Sequence, residues 1–344
     1  MELGLYTFGD VGRNPVTGHF VTPSERLRNL VEEITLADQA GLDMFGLGEH
    51  HRSDYAVSAP AVALAAAALQ TRTIRLASAV TVLSSDDPIR VFQQFSTLDN
   101  LTQGRAEIIA GRGSFIESFP LFGYDLDDYD TLFAEKLALL MQLNEGERIT
   151  WPGGQHTPEI GDRGVYPRPY GERLPIWVAV GGTPQSVGRA GMLNLPLAVA
   201  VIGGEPARFQ PLFQLYDRAV KQAGHDRGQL KTSLNVHGFV AETSQEAADS
   251  FYRPQAEVMN RIGRERGWPP TSRAQFDAAR GPRGALFVGS PAEVTDKILA
   301  MHEILGFDRF VIQMAIGVID HPTLMKAIEL FATRVAPEVR KALA

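Results

Sequence analysis

The sequence contains no cysteine among its 344 residues. This absence excludes a disulfide framework, a thiolate zinc site, an iron–sulfur cluster and a cysteine nucleophile. Basic residues are not in excess either, because 33 Lys and Arg stand against 40 Asp and Glu and leave a formal net charge of −7. A mildly acidic chain of this kind is a poor candidate for binding nucleic acid or an anionic membrane surface.

Long hydrophobic runs are also missing, although 44% of the residues are hydrophobic. No segment reaches the roughly 18 consecutive apolar residues that indicate a transmembrane helix. The first residues, from Met1 to Tyr6, enter a strand-like pattern without the basic and apolar regions of a signal peptide. We therefore expect a cytoplasmic protein that has neither a membrane nor a nucleic acid as its partner.

Several catalytic signatures are absent as well. The sequence has no Gly-x-Ser-x-Gly elbow, no lysine at a predicted strand end suited to a Schiff base, and no pair of carboxylates at strand ends. Hydrolase and glycosidase chemistry therefore lack essential parts. Gly9 and Gly12 follow the first predicted strand, but a long loop comes next instead of a helix, which argues against a dinucleotide-binding turn.

The sequence does contain a regular alternation of short apolar segments with longer segments of helical periodicity. We predict eight strands, over residues 2–8, 44–48, 74–83, 105–110, 175–180, 197–202, 233–241 and 310–314. Such alternation indicates parallel strands, and eight units favour an α/β (β/α)8 TIM barrel that forms one domain over residues 1–344. Residues 268–284, rich in Pro, Gly and Arg, form either a lid over the site or a surface insertion.

The functional site of such a barrel lies at the carboxyl ends of the strands. The second predicted strand leads into Glu49, His50 and His51. An imidazole at this position can act as a general base, because it titrates near neutrality, or it can simply form hydrogen bonds at the barrel rim. A metal site is disfavoured, since adjacent side chains of an extended segment point to opposite sides and no third ligand is evident.

The fourth predicted strand leads into a cationic turn. Arg112 stands between Gly111 and Gly113, with Ser114 next along the chain. Glycines on both sides let the backbone approach a ligand closely, and the guanidinium favours an anionic group such as phosphate. By itself this triplet is equally typical of an ordinary turn.

The fifth predicted strand leads into a second candidate anion site. Gly181 and Gly182 end the strand, Thr183 suits the N-cap of the next helix, and Ser186 can add a hydroxyl. The free N–H groups of a helix start bind anions, although a plain strand-to-helix turn has the same pattern. Together with Arg112 on the neighbouring strand, this loop predicts the phosphate of a cofactor that lies across the barrel mouth.

These segments together resemble the bacterial luciferase-like flavin monooxygenases, a family of (β/α)8 barrels that bind FMN or a deazaflavin. The motifs that carry the resemblance occur in the family's order and run through most of the chain. They are residues 40–51 with the terminal Glu-His-His, residues 80–83, the Asp-Pro-Ile-Arg at 87–90, residues 98–105, the Gly-Arg-Gly at 111–113 and the Gly-Gly-Thr-Pro-Gln-Ser at 181–186.

The resemblance implies a specific cofactor site. Reduced FMN would lie against the ends of strands three to five, and Ala79 and Val80 match the position of a non-proline cis peptide bond beneath the flavin ring. The phosphate would be held by residues of the two turns described above. These are Arg112, Gly113, Ser114, Gly181, Gly182, Thr183 and Ser186. No metal is implied.

The resemblance also implies an activity. Such enzymes take reduced flavin from a separate NAD(P)H:flavin reductase and oxygenate a small substrate with O2 through a flavin hydroperoxide, a step that His50 would assist. The alternative within the same barrel is hydride transfer by a deazaflavin coenzyme without O2. Gly111 stands where luciferase itself has a reactive cysteine, which argues against light emission.

Four further expectations concern the surface of the barrel and its mouth. The segment around 251–283 matches a mobile insertion that closes over the flavin in relatives. A homodimer is expected because relatives are mostly dimers, and the Ala-rich helix over residues 59–69 packs either on a twin subunit or on its own barrel. The loops at the mouth carry Phe20, Phe115, Phe119, Phe122 and Trp268, which favours an apolar substrate. His237 and Gln313 are expected to face the pocket from their positions near strand ends.

Overall fold

Eight parallel strands form a closed barrel in the computed structural model, which describes residues 1–113 and 115–344. The strands are β1 (Glu2–Thr7), β2 (Met44–Leu47), β3 (Arg75–Val82), β4 (Ala106–Gly111), β5 (Ile176–Val180), β6 (Leu197–Val201), β7 (Thr232–Val240) and β8 (Arg309–Gln313). Each strand pairs with the next in the chain, and β8 pairs with β1 to close the ring. The predicted TIM barrel is confirmed.

Helices surround this barrel and alternate with its strands. The longer ones are α1 (Pro23–Gln39), α2 (Pro60–Ala68), α3 (Pro88–Thr102), α4 (Tyr129–Glu145), α5 (Pro184–Met192), α6 (Gln210–Gln222), α7 (Ser244–Arg266), α8 (Pro291–Leu305) and α9 (His321–Leu330). Shorter helical segments are Ser118–Phe122, Leu126–Asp128, Pro206–Phe209, Arg227–Gln229, Arg273–Ala279, Phe331–Val335 and Ala336–Ala342.

Local sequence explains where several helices begin. A proline occupies the first helical position of α1, α2, α3, α5 and α8, where its missing N–H has no intrahelical partner to lose. The Asp87 side chain caps α3 by accepting from the N–H groups of Ile89 and Arg90. Ser290 and Glu293 form a reciprocal capping box at the start of α8.

Some elements differ from the pattern expected from the sequence. The long connection after α4 contains a two-stranded hairpin, Arg148–Trp151 with Ile160–Gly164. The segment over 268–284, which is expected to be a lid or a surface insertion, contains the helix Arg273–Ala279, and a short strand, Phe287–Gly289, extends the sheet beside β7. These elements are short and irregular, so their hydrophobic periodicity is too weak to identify them. A further two-stranded pairing joins Gly12–Arg13 to Phe20–Val21.

The interior of the barrel is apolar above a charged floor. Tyr6, Met44, Ile109, Trp177 and Val311 are buried inside it. At the amino-terminal end of the strands, Arg309 donates to Glu107 and Glu2 and stacks over the Trp177 ring at 4.2 Å. This buried network closes the bottom of the barrel, so that the opening lies at the carboxyl ends of the strands.

The Ala-rich helix α2 has a buried side and an exposed side. Ala61, Leu64 and Ala67 pack into the core of the barrel, whereas Val62 and Leu69 are 69% and 78% exposed. Packing on its own barrel therefore accounts for one side of the helix, and the predicted homodimer stays a prediction. Among the described residues, no helix has both the length and the apolar character to span a membrane.

Candidate functional site

A cavity of about 380 Å3 opens at the carboxyl ends of the barrel strands. Residues from all eight strands or the loops that follow them contribute to its wall. Those used below are Phe8, Asp10, His50, Tyr55, Ala79, Val80, Arg112, Gly113, Phe115, Gly181, Thr183, His237, Trp268 and Gln313. Most of the lining is apolar, and its charged residues are Asp10, Glu49, Arg112 and Arg266. This is the usual character of a site for a small organic ligand.

His50 lies buried in this cavity within an aromatic cage. Its ring stacks on Tyr55 at 4.5 Å, and the Phe8 and Phe115 rings contact it edge-on at 4.4 and 4.9 Å. Its Nδ1 lies 3.9 Å from Oε1 of Glu117. Burial raises the pKa of Glu117, but nearby His50 and Arg52 outweigh that effect and lower it, so the group is a carboxylate at neutral pH. The imidazole is therefore held in place by packing, with an anion within reach.

Glu49 and His51 form hydrogen bonds that connect two strands, in contrast to the aromatic contacts of His50. The Glu49 carboxylate accepts from the backbone N–H of Val82 at 2.9 Å and from His51 Nε2 at 2.8 Å. The hydrogen bond with Glu49 raises the pKa of His51. These two residues connect the end of β2 to the end of β3. His51 is therefore a histidine that forms a hydrogen bond at the barrel rim, which was one of the two roles expected for an imidazole here.

The end of β3 has an irregular backbone where the site residues Ala79 and Val80 lie. The Ala79–Val80 peptide bond is cis, as the resemblance implies, and the register with β4 shifts between Ala79 and Thr81. Glycines on the adjacent strands leave room for this backbone. A Cβ on Gly111 would lie 2.8 Å from a methyl carbon of Val80, and one on Gly46 would lie 2.7 Å from the Ala79 Cβ. The space that a side chain at position 111 would need is filled by Val80.

Arg112 joins the two turns that the sequence assigns to phosphate. Its Nη2 donates to the Thr183 hydroxyl at 3.2 Å, and its Nη1 donates to the Asp130 carboxylate. Its guanidinium lies 4.9 Å from the centre of the Tyr129 ring, and the Tyr129 hydroxyl donates to the Gly113 carbonyl at 2.6 Å. The structure thus brings Arg112, Gly113 and Thr183 together at the cavity edge. Ser114 lies outside the described residues.

The loop before α5 forms an open cradle beside Arg112. Gly181 and Gly182 are exposed, and no atom lies within 4 Å of a Cβ built on Gly181. Gly182 has φ +126°, a conformation that side-chain-bearing residues rarely adopt. Thr183 occupies the N-cap without a side-chain bond to the helix, which leaves its hydroxyl for Arg112. Gly181 and Thr183 line the cavity, whereas Gly182 and the buried Ser186 do not.

The aromatic residues of the mouth loops divide into two groups. Phe115 and Trp268 line the cavity. Phe119 is fully buried and stacks on Tyr129, Phe122 packs against His51, and Phe20 is largely exposed. His237 and Gln313 do lie in the cavity wall, as their positions on β7 and β8 suggested. Burial lowers the pKa of His237 to about 4, so its imidazole is neutral at neutral pH.

Other residues of the site are visible only in the structure. Asp10 and Tyr55 come from the loops after β1 and β2, and Asp130 comes from the first turn of α4. Each is an isolated polar residue in a loop or at a helix start, where no spacing marks it. Only the folded barrel places it at the mouth.

The carboxyl-terminal half of α7 covers one side of the cavity. Val258, Met259 and Ile262 face the cavity from this helix. Two ion pairs tie the helix to the loop after His50. Arg52 binds Glu265 with contacts of 2.6 and 3.1 Å, and Arg261 binds Asp54 at 2.7 Å. The region around 251–283 is thus helical over much of its length, and its mobility stays a prediction.

No group of three or more His, Cys, Asp or Glu residues within 1–113 and 115–344 is arranged to hold a metal ion. The site has two parts, an apolar pocket with a caged histidine and a cationic edge with Arg112 and a glycine-rich helix start.

Taken together, this geometry defines a (β/α)8 barrel whose ligand site lies at the carboxyl ends of its strands. Within that class the chain belongs to the luciferase-like monooxygenase family, whose profile matches residues 1–309. Membership makes the protein an oxidoreductase.

Individual relatives agree with this assignment. The chain is 29% identical over 324 residues to 4-hydroxyprotoasukamycin monooxygenase of Streptomyces nodosus subsp. asukaensis, covering 89% of this chain and 85% of the relative. Monooxygenase RslO1 of Streptomyces bottropensis has the same fold, with a TM-score of 0.83 at 23% identity over 98% of this chain and 99% of that one.

A second solved structure contains a flavin. It is the oxygenating constituent of 3,6-diketocamphane monooxygenase from Pseudomonas putida in complex with FMN, with a TM-score of 0.77 at 21% identity over 98% of this chain and 99% of that one. Enzymes named as dependent on coenzyme F420 are also similar to this chain. Both cofactors thus occur among proteins of this fold.

Proposed function

We propose that the protein is an FMN-dependent monooxygenase that receives reduced flavin from a separate NAD(P)H:flavin reductase and transfers one oxygen atom of O2 to a small, mainly apolar organic substrate. The observation that carries the proposal is the pairing, in one cavity, of a cationic cradle with a buried aromatic cage around His50. The cationic cradle suits a phosphate, and the aromatic cage suits a reaction that must be protected from water.

The residues present fit FMN at both ends of the cavity. Gly181 and Gly182 leave open space beside the start of α5, and Arg112 supplies the charge for a phosphate. We infer that Arg112, Gly113, Gly181 and Thr183 hold the phosphate, while Ala79 and Val80 support the ring. Ser114, Gly182 and Ser186 are included in this assignment through the resemblance.

Reduced FMN, when bound, supplies two electrons and the centre that activates O2. The protein contributes the surroundings. Phe8, Phe115 and Trp268 keep the cavity apolar and limit the entry of water. We assign to His50 the role of holding or moving a proton at its imidazole, close to the reacting atoms, with Tyr55 fixing the plane of its ring. His51 and Glu49 keep the end of β3 in place.

The second candidate is hydride transfer with coenzyme F420 in place of FMN. It is favoured by the similarity to F420-dependent enzymes, including a glucose-6-phosphate dehydrogenase of Amycolatopsis mediterranei at 27% identity over 262 residues. Because this coenzyme also bears a phosphate, the same cationic edge would serve it. The two candidates differ in which cofactor binds and in whether O2 is consumed.

The experiment is an anaerobic titration with reduced FMN, reduced riboflavin and reduced F420. We expect Arg112→Ala to weaken FMN binding by about 10- to 100-fold, since hydrogen bonds to charged groups contribute about 1.5–3 kcal/mol. Riboflavin lacks the phosphate, so its affinity should not change. Arg148→Ala is the matched control, because Arg148 is an exposed arginine that binds Asp162 outside the cavity.

Each result separates the candidates. An unchanged FMN affinity in Arg112→Ala would contradict the phosphate assignment. Tight binding of F420 without binding of FMN would move the protein to hydride transfer. If FMN binds, apolar compounds are then tested with isotopically labelled O2, and label in a product confirms oxygenation. Consumption of O2 with hydrogen peroxide as the sole product from every compound would count against it.

A further inference from the structure

A second cavity of about 270 Å3 lies beside the first and is lined largely by polar side chains. It runs between the loop after β1, the helix α1 and the loop that leads into α9. Its lining includes Asn14, Arg26, Asn29, Glu33 and His321. A polar space of this size exceeds the roughly 10–15 Å3 needed for one water molecule and is therefore expected to hold several.

The charges in this cavity form a chain from the surface inward. Exposed Glu32 accepts from His321 Nε2 at 3.0 Å, and Glu33 lies 3.4 Å from His321 Nδ1. Glu33 in turn forms a buried two-contact ion pair with Arg26, at 2.7 and 3.0 Å. The neighbouring carboxylates of Glu33 and, to a lesser extent, Glu32 raise the pKa of His321, so the outer end of the chain holds a proton readily.

Asp10 belongs to the walls of both cavities. Its side chain is almost completely buried, its Oδ1 accepts from the Gly317 N–H at 2.8 Å, and its Oδ2 has no hydrogen-bond partner within the described part of the chain. A buried carboxylate oxygen without a partner is costly, and a proton on it removes the charge. Asp10 is thus the one carboxyl shared by the two cavities in the described chain.

The charged and titratable groups that act on Asp10 come from three elements. Burial raises its pKa to about 6, although the Gly317 N–H, Arg26 of α1 and Arg261 of α7 each act to lower it. Tyr55 faces it from the loop after β2 and is itself a neutral phenol, because burial raises its pKa. Asp10 therefore changes protonation near neutral pH, and Tyr55 stacks directly on His50.

We propose that Asp10 is a proton-transfer residue that connects solvent in the second cavity to the reaction cavity. Protons reach it through water in the second cavity, past His321 and the Arg26–Glu33 pair, and leave it on the side of Tyr55 and His50. The mostly apolar main cavity, which α7 covers on one side, then needs no chain of water molecules of its own to deliver protons.

This inference rests on the proposed function, because the proposed reaction is what requires a proton from solvent. Oxygenation joins substrate, O2, two electrons and two protons to give an oxygenated product and water, and reduced FMN that enters as its anion brings only one of the protons. The other comes from solvent. Hydride transfer to a carbonyl likewise takes up one proton, and hydride transfer from an alcohol releases one, so the role of Asp10 is the same with either cofactor.

The first test uses the cofactor-free protein. Infrared spectra recorded across the pH range around 6 should contain the C=O band of a protonated carboxyl, and Asp10→Asn should remove one component of it. Asparagine can still accept from Gly317, so the fold is expected to persist. Asp86→Asn is the matched control, because burial, together with the charge of Glu49, also raises the pKa of Asp86 to about 6. It should remove a different component.

The second test blocks the route. Asn29 lines the second cavity but not the first, and Asn29→Phe fills part of that space. After transfer to D2O, the Asp10 band should exchange at least about tenfold more slowly in Asn29→Phe, because exchange then requires local opening. Asn29→Ser, which leaves the cavity open, should exchange like the wild-type protein.

A third measurement links the route to turnover. With reduced FMN and O2, proton uptake from solvent should slow by about 100-fold in Asp10→Asn, a magnitude typical of the loss of an acid–base group. The proposal is overturned if Asp10→Asn removes no titrating band, or if Asn29→Phe leaves exchange unchanged. Failure to bind FMN with both infrared results intact would instead refute the proposed function alone.

Discussion

Replacing Asp130 by asparagine is expected to strengthen FMN binding, although it removes a contact of Arg112. The Asp130 carboxylate accepts from Arg112 Nη1 and occupies part of the guanidinium that a phosphate would use. Asp130 is 71% exposed, whereas Arg112 is 19% exposed. Arg112 lines the cavity, and under the proposed function Asp130 would compete with the phosphate from the solvent side.

The magnitude follows from two effects. An ion pair with one exposed partner contributes about 0.2–1 kcal/mol. In Asp130→Asn the pair with Arg112 is absent, so phosphate binding does not have to break it. In addition, the Asp130 carboxylate repels a phosphate bound on the other side of the Arg112 guanidinium. Two unit charges 4 Å apart in water interact by about 1 kcal/mol, so this repulsion is of similar size or smaller. Asp130→Asn should therefore gain about 1 kcal/mol, or roughly fivefold in affinity.

The assay is fluorescence titration of oxidised FMN, with riboflavin as the ligand control. Affinity for riboflavin should not change, because it lacks the phosphate. The gain for FMN should shrink as salt is added, since partly exposed charges are screened. Asp162→Asn is the matched protein control, because Asp162 is similarly exposed and also binds an arginine, Arg148. Weaker or unchanged FMN binding in Asp130→Asn would refute the assignment of Arg112 to the phosphate.

Two further predictions concern stability. Glu107→Gln should reduce the free energy of unfolding by about 3–5 kcal/mol, because it leaves buried Arg309 with Glu2 as its remaining carboxylate, and should lower the Tm by roughly 4–7 °C in calorimetry. Exposed Glu159→Gln is the control, and a loss below about 1 kcal/mol would contradict the buried-network argument. His51→Gln should reduce the Tm most at low pH. Because Glu49 raises the folded-state pKa of His51, its stabilisation is complete below the unfolded-state pKa and is lost as pH rises through the folded-state value. A Tm difference from wild type that does not vary with pH would be evidence against this coupling.

The sequence was sufficient to predict the barrel and much of its mouth. All eight barrel strands coincide with apolar segments read from the sequence, because a strand buried on both faces gives a continuous local signal. The approximate positions of His50, Arg112 and Thr183 followed from the rule that strand ends converge in a parallel barrel. Their functional roles, like those of Gly113, Gly182 and Ser186, remain predictions.

The separate roles of the three residues in the Glu-His-His motif could be distinguished only in the structure. The motif alone left open which residue is chemical and which is structural. The bond from Glu49 to the Val82 N–H joins residues 33 positions apart and assigns this carboxylate to the support of β3. His50 is instead surrounded by Phe8, Tyr55 and Phe115, which come from three different loops.

The alternation of strands and helices and the chemical character of each strand end could therefore be predicted from the sequence, since both depend on neighbouring residues. Contacts between groups that are far apart in the sequence become apparent in the folded barrel. Closure of the barrel brings Arg309 to Glu107, 202 positions away, and Asp10 to Gly317, 307 positions away. No local pattern records such pairs, because each depends on the register and curvature of the whole sheet.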